Sequence, residues 1–273
     1  MKLIQNEDGF QVIDLEGANI SKVDLSIFNN YFATVLRNAS EVDISKFESL
    51  SYRFGFPLPY GDTNIKTFTT IHNENELHYD GISSDNPRKV PRIITFYVED
   101  CPDPKEQGGA FLITNCIAGF DVLPSNIKDI LRVTKQHFYG YPYKLKYKKE
   151  ILEWSFAIPT VGIFNGKELL RMHIPSGRST VIHSKNKDLV YSGAHDLCFR
   201  LEGLNGQESI EIYDLIRKKI MEKRITKRIM FEKGDLLIVD NKKAFHGREF
   251  VKRPQSRLLH RIQLLEEKFL NDN

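Results

Sequence analysis

Apolar positions along the chain follow two different periods. In KVDLSIFNNYFATVLR, residues 22–37, Leu25, Phe28, Phe32, Val35 and Leu36 recur at helical spacing and predict an amphipathic helix. ISKFESLSYRFGFPLP, residues 44–59, predicts a second, shorter helix. Gly55 and Pro57 should stop it, because proline cannot continue the ladder and disfavours helix just before it. IITFYV at 93–98 and FLIT at 111–114 are short β-branched and aromatic runs, the pattern of buried strands. Between them QGG at 107–109 signals a turn. LPSNIKDILRV at 123–133 then predicts a helix with Pro124 and Ser125 at its start.

From 137 to 200 short aromatic and β-branched runs alternate with Gly, Pro and Asn, as in FAIPTVGIF followed by Asn165-Gly166, which predicts an all-β meander. Ile212, Ile216 and Ile220 repeat every four residues and predict a helix over 208–224. Strands are then expected at GDLLIVDN, 234–241, and RLLHRIQLL, 257–265. Many strands, few helices and no βαβ alternation predict a mainly β fold with peripheral helices, a sandwich or jelly-roll core rather than a doubly wound sheet. With 273 residues and no internal repeat, low-complexity segment or linker, residues 1–273 are expected to form a single domain.

Composition narrows the function classes only a little. Hydrophobic residues make up 41% and charged residues 27%, ordinary for a folded domain. The 39 basic and 36 acidic residues balance to +3, too even to argue for nucleic acid or an anionic membrane. The basic run RKKIMEKRITKR at 217–228 carries Ile220 and Ile225, together with Ile216 just before it, and no interleaved aromatics, so it is expected to be a core-packed helix with a solvated face. Cys101, Cys116 and Cys198 cannot all pair and form no C-x-x-C, which fits a reducing compartment. MKLIQNEDGF has acidic groups where a signal peptide is apolar, and no apolar run nears the ~20 residues that span a bilayer. A soluble, cytoplasmic protein is the expectation.

The candidate chemistry begins at ELHYDG, residues 76–81. On an extended chain His78 and Asp80 point to one face and could converge on an ion. At average acidic usage of ~12%, about one His-x-Asp/Glu arises by chance among eight histidines, and His72-Asn73-Glu74 is another. A third ligand has to come from elsewhere. In GDLLIVDNKKAFHGREFVKRPQSRLLHRIQL, residues 234–264, His246 follows two apolar residues, and Arg257 and Arg261 share a facing if the strand is regular. Two histidines and one carboxylate make a facial triad for non-haem Fe(II) with open positions. Inward arginines suit a carboxylate, because their planar fork donates two parallel hydrogen bonds. A 2-oxo acid cosubstrate is the natural complement.

HYDG, QGG, GDLLIVDN with KKAFHGRE, and the R-x-x-x-R of RLLHR together resemble the taurine-dioxygenase-like superfamily of Fe(II)/2-oxoglutarate oxygenases, over residues 76–265. Within it, HYDGISSDNPRKVPRIITFYVEDCPDPKEQGG most resembles oxygenases of isonitrile pathways of the paerucumarin and rhabduscin type. The GDLLIVDN-to-RLLHR segment also resembles carbapenem synthase. The resemblance implies a double-stranded β-helix core, Fe(II) held by His78, Asp80 and His246, 2-oxoglutarate gripped by Arg257, and Arg261 facing an anionic substrate. It implies consumption of O2 and removal of a hydrogen atom from a small-molecule substrate, leading to hydroxylation or desaturation. For the isonitrile branch the implied reaction is oxidative decarboxylation of tyrosine isonitrile; another amino acid or a β-lactam-like substrate is the alternative. Homo-oligomers occur among such relatives. Asp80 speaks against halogenation, since family halogenases carry a small residue there. One position departs from the pattern: Phe111 stands where many members have a threonine that helps hold 2-oxoglutarate, and Thr114 is three steps away on the opposite facing.

Blander readings accompany each residue. A non-redox jelly-roll binding protein would use the same pocket, with Phe111 in its favour, and a zinc hydrolase would use the same ligands but lacks a general base placed by sequence. His173, His183 and His195 read as structural or exposed, or as lining an entrance. His260 has parity opposite to the arginines and should point away. Arg248 and Glu249 read as a surface ion pair, and Arg88, Lys89 and Arg92 as part of a loop over the site.

Overall fold

The run LLIVD forms the strand Leu236–Asp240, buried along its whole length. Leu237 and Val239 enter one core with Phe96, Phe111 and Phe231, while Leu236 and Ile238 enter another with Phe47 and Leu50. A strand covered on both faces shows no polar alternation in sequence. The computed structural model describes residues 1–71, 75–82, 90–103, 109–140, 155–177, 179–183, 189–192, 197–250 and 255–266.

Two sheets enclose the first of these cores. The larger has eight strands, in the order Lys2–Glu7, Phe10–Asp14, Ala33–Arg37, Leu236–Asp240, Ile93–Asp100, Gln255–Leu265 and Phe56–Pro57, with Lys66–Ile71 also paired to Gln255–Leu265. The smaller has four: Thr226–Ile229, Phe111–Asn115, Ala244–Arg248 and Asn75–His78. Their facing apolar side chains, Val35, Ile94, Phe96, Val98 and Leu259 from one and Phe111, Ile113, Ile229 and Ala244 from the other, interdigitate as the filling of a jelly-roll core. Burial of this magnitude is the dominant stabilising term.

Helices lie outside the two sheets. The helix α1, Ile44–Tyr52, covers the outer face of the large sheet with Phe47 and Leu50. On the outer face of the small sheet lie α2, Cys116–Asp121, α3, Ser125–Val133, and α4, Gly206–Ile220. Asn205 and Glu208 form a capping box at the start of α4, satisfying otherwise orphaned amides. The stretch from 137 to 200 supplies a further five-stranded sheet, Ser155–Pro159, Lys135–Gly140, Leu197–Leu201, Leu189–Ser192 and Thr180–His183, and a hairpin, Val161–Phe164 with Lys167–Leu170.

The helix predicted over 22–37 does not form. Leu25–Phe28 is one 3-10 turn capped by Asp24, and Ala33–Arg37 is a strand pairing parallel to Phe10–Asp14 and antiparallel to Leu236–Asp240. Val35 and Leu36 serve opposite cores there. Apolar residues needed on both faces of a strand mimic helical spacing, and pairing overrides local preference. The helix expected over 208–224 ends at Ile220, and the basic run continues into the strand Thr226–Ile229. Neither α2 nor the strand Ala244–Arg248 was anticipated.

Among the described residues, no helix is long and apolar enough to cross a membrane. Cys101, Cys116 and Cys198 form no disulfide among the described residues.

Candidate metal centre and its cavity

His246 lies on the strand Ala244–Arg248, directly opposite His78 across an antiparallel pair. Two residues beyond His78 the chain has left the strand, and Asp80 turns back beneath both rings. Its Oδ1 lies 3.6 Å from His78 Nε2 and 3.5 Å from His246 Nε2. Among the described residues this is the one cluster of three potential metal ligands, all within 4.8 Å of one another. Asp80 and His246 are buried, 6% and 3% exposed.

Neighbouring groups set the orientation of each donor. The Nδ1–H of His78 donates to the Glu76 carbonyl at 2.7 Å, because a carbonyl can only accept. Its Nε2 lone pair is thereby turned to the cluster, the usual outer support of a metal-binding imidazole. Asn241 brackets the Asp80 backbone, accepting from its N–H at 2.8 Å and donating to its carbonyl at 3.0 Å and to that of Pro91 at 2.8 Å. Arg261 Nη1 lies 2.9 Å from Asp80 Oδ2, and the Gln263 amide donates to the same oxygen. The same Arg261 nitrogen also donates to Oδ1 at 3.2 Å, so Oδ2 has two donors and Oδ1 faces both Arg261 and the imidazoles.

Electrostatics favour the ligating forms. Burial works to raise the Asp80 pKa, but Arg261 and the imidazoles overcome it and hold the carboxyl well below the usual range. Burial lowers the pKa of His246, against the opposing pull of Asp80, which keeps the ring neutral. Its Nδ1 is buried without a hydrogen-bond partner among the described residues. Phe111 stacks on this ring at 6.1 Å and 9°, and Phe96 meets it edge-on at 6.0 Å. Two imidazole nitrogens and an ionised carboxylate oxygen on one side of a cavity fit a divalent transition metal such as Fe(II).

The cavity measures about 330 Å³, and His78, Asp80, His246 and Arg261 all line it, with Phe111, Lys66, His173 and Arg248. Arg257 lies behind this wall. It is 3% exposed, and its guanidinium sits 5.5 Å from the Phe231 ring, which packs at 5.2 Å against Phe111. Burial lowers its pKa.

Several expectations change in detail. The strand Gln255–Leu265 is not regular: its register shifts between Leu258 and Leu259 against one neighbour, and between Ser256 and Leu259 against the other. Parity does not carry across such a bulge, yet both arginines still reach the inner side. Beyond the bulge parity holds, and His260 points away, bonded to Glu99 and Thr67. Arg248 and Glu249 form no surface pair. Glu249 binds Arg228 at 2.7 Å, while half-buried Arg248 lines the cavity with its pKa lowered to about 10 by burial and then by Arg257. Arg92 pairs with Asp240 and Glu266. Thr114 bonds Thr226, away from the site, as its parity predicts.

His173, read from the sequence as structural, exposed or lining an entrance, and Lys66, which the sequence did not single out, are both cavity residues. His173 is buried, stacks on His78 at 5.6 Å and 16°, and has Nε2 3.7 Å from Glu76 Oε2. Neither sits in a spacing motif, so only the fold reveals them. His72, Glu74, His195, the His183 side chain, Arg88, Lys89, Gln107 and Gly108 lie outside the described residues.

A model of the taurine catabolism dioxygenase TauD, TfdA family matches residues 4–263. Among solved structures, PvcB from Pseudomonas aeruginosa, an Fe, alpha-ketoglutarate dependent oxygenase from an isonitrile synthetic pathway, superposes with TM-score 0.73 at 16% identity, covering 96% of this chain and 88% of its own. A taurine dioxygenase from Burkholderia xenovorans gives TM-score 0.67 at 14% identity, covering 97% and 91%. No curated protein matches the chain.

Proposed function

The chain belongs to the TauD/TfdA dioxygenase family, and on that premise we propose that His78, Asp80 and His246 hold its Fe(II), that Arg257 secures the distal carboxylate of 2-oxoglutarate, and that the substrate is an amino-acid-derived carboxylate. Membership makes the protein an Fe(II)- and 2-oxoglutarate-dependent oxygenase that uses O2. Tyrosine isonitrile is the first candidate substrate, through the likeness to PvcB, with oxidative decarboxylation, desaturation or hydroxylation as the outcome. Another amino acid or a β-lactam-like acid is the alternative. Residues 1–273 act as one oxygenase domain in this reading, in a cytoplasmic setting.

The observation that carries the assignment is the convergence on Asp80 Oδ1, which lies at nearly equal distance from two imidazole nitrogens while Arg261, reaching both oxygens, and Gln263 on Oδ2 steady the carboxylate. When bound, iron with 2-oxoglutarate and O2 supplies the oxidising power for C–H cleavage, with decarboxylation of the cosubstrate. The protein supplies orientation and dryness. The Glu76 carbonyl fixes the His78 tautomer, Asn241 fixes the Asp80 backbone, and Phe96 and Phe111 keep water from the inner face of His246.

Phe111 favours one second reading, a jelly-roll binding protein without redox chemistry, because it fills the position of a cosubstrate contact and, with Phe231, separates the triad from Arg257. Anaerobic addition of Fe(II) and 2-oxoglutarate decides between them. The oxygenase shows a visible metal-to-ligand charge-transfer band that weakens in Arg257→Ala. A wild type with no band is a binding protein.

A further inference from the structure

The strand pair that carries His78 and His246 ends at Asn75 and Arg248, which are themselves cross-strand partners. Both residues line the metal cavity, and both also line a second cavity of about 580 Å³. They form the partition between the two, at the point where the small sheet runs out of strand. Leu77 and Leu112, which belong to the core under α4 on the outer face of that sheet, line the second cavity. The space beside the metal cluster thus leads round the end of the sheet to its other side.

The floor of the second cavity is apolar, made by Leu77, Leu112, Pro175, Met221 and Phe250. Charges at its rim are spent within the protein. Arg217 donates to the Ser176 carbonyl at 2.7 Å and pairs with Asp214 at 3.1 Å, while Glu249 pairs with Arg228 at 2.7 Å and accepts from the Ala110 amide at 3.3 Å. Protein interiors are close-packed, so an unfilled apolar concavity of this size is the mark of a ligand pocket. The metal cavity is smaller, about 330 Å³, near the lower end for ligand pockets, and 2-oxoglutarate takes a share of it. What is left there suits the reacting end of a substrate and not the whole of a long one.

We propose that the second cavity is a subsite for a neutral apolar arm of the substrate, an acyl or alkyl chain, which passes Asn75 and Arg248 while the reacting end stays in the metal cavity. Such a chain needs no polar partner, in keeping with the internally paired rim. A charged or hydrogen-bonding group would lose its water there without replacement. Met221, at the end of α4 and 40% exposed, closes the floor and makes the far end of the subsite. The inference rests on the oxygenase reading and, among the substrates named there, favours an amino acid bearing such a chain over tyrosine isonitrile.

Gly177 offers a way to fill the cavity without disturbing the core, because it is exposed and a Cβ there would meet only a guanidinium nitrogen of Arg217 at 4.0 Å. The full chain is loaded anaerobically with Fe(II) and 2-oxoglutarate and titrated calorimetrically with N-acetyl-, N-hexanoyl- and N-decanoylglycine, as wild type, Gly177→Leu and Met221→Gln. Wild type should bind more tightly as the chain lengthens, by up to about four-fold per methylene and at least about ten-fold from acetyl to decanoyl. Gly177→Leu should lose most of that gain and Met221→Gln part of it, with N-acetylglycine affinity, the charge-transfer band and the thermal melt kept in both. Should Gly177→Leu melt early, Met221→Gln decides alone. Equal affinity for the three probes, a chain-length gain that the folded variants keep in full, an equal loss across all three probes, or no binding of any probe overturns the proposal. Failure of the oxygenase reading shows separately, as absence of the band in wild type before any acylglycine is added.

Discussion

His78 and His246 are cross-strand neighbours, with ring centroids 4.6 Å apart and Asp80 Oδ1 between their Nε2 atoms. Residues far apart in sequence become adjacent because the short strand Asn75–His78 pairs at the edge of the small sheet with Ala244–Arg248. The geometry leads to four expected outcomes.

Asp80→Ala removes the proposed central ligand and leaves Arg261 and Gln263 facing an empty space. Iron affinity and 2-oxoglutarate consumption should fall to background, while folding survives. Isothermal titration with Fe(II) and a thermal melt of the same preparation check both halves; retained iron binding would remove Asp80 from the ligand set.

Gly247 sits between His246 and Arg248, where its strand packs closely on the backbone of the His78 strand. A Cβ there would lie 2.7 Å from the Asn75 carbonyl oxygen and 2.9 Å from that of Glu76, closer than backbone atoms tolerate. Gly247→Ala should therefore push the His246 strand from the His78 strand, with a loss of about 1–3 kcal/mol of stability and weakened metal binding. Denaturant titration and metal titration measure the two losses, which should occur together.

Asn241→Ala deletes the bracket around the Asp80 backbone without touching a ligand. Outer-shell losses of this kind lower metal affinity about 10–100-fold. A variant that binds Fe(II) as wild type does would show that the Tyr79–Asp80 turn holds itself.

Asp235 introduces the strand Leu236–Asp240 and lies 3.1 Å from Arg37 Nε. Burial raises its pKa from the model-peptide 3.8 to about 6, despite the backbone bond and Arg37. A folded pKa above the unfolded one means that the protonated carboxyl is favoured on folding. Its contribution is therefore fully present below about pH 4 and lost as pH rises through about 6, amounting to roughly 1–3 kcal/mol. Asp235→Asn should flatten that part of the stability curve, and the difference between wild-type and variant melting temperatures across pH 4–7 reads it directly.

Local chemistry was legible where a pattern is complete within a few residues. The His-x-Asp pair, the spaced arginines, the proline-stopped helix Ile44–Tyr52 and the isoleucine repeat of α4 all depend on neighbours along the chain. Ala33–Arg37 misled because its apolar residues answer to two cores at once, a condition that no local period encodes. The bulge near Leu258 was likewise invisible, since it arises from matching two neighbouring strands of different register.

The sequence by itself determined the donor types, their order and the β-rich class, because side-chain chemistry and strand parity are local properties. Tertiary structure alone decided that His246 meets His78, that Phe111 stacks on the His246 ring, that His173 joins the cavity, and that Lys66 stands opposite Arg261. Those relations depend on strand register, which is set by burial of whole sheet faces against each other and so cannot be read from any one segment.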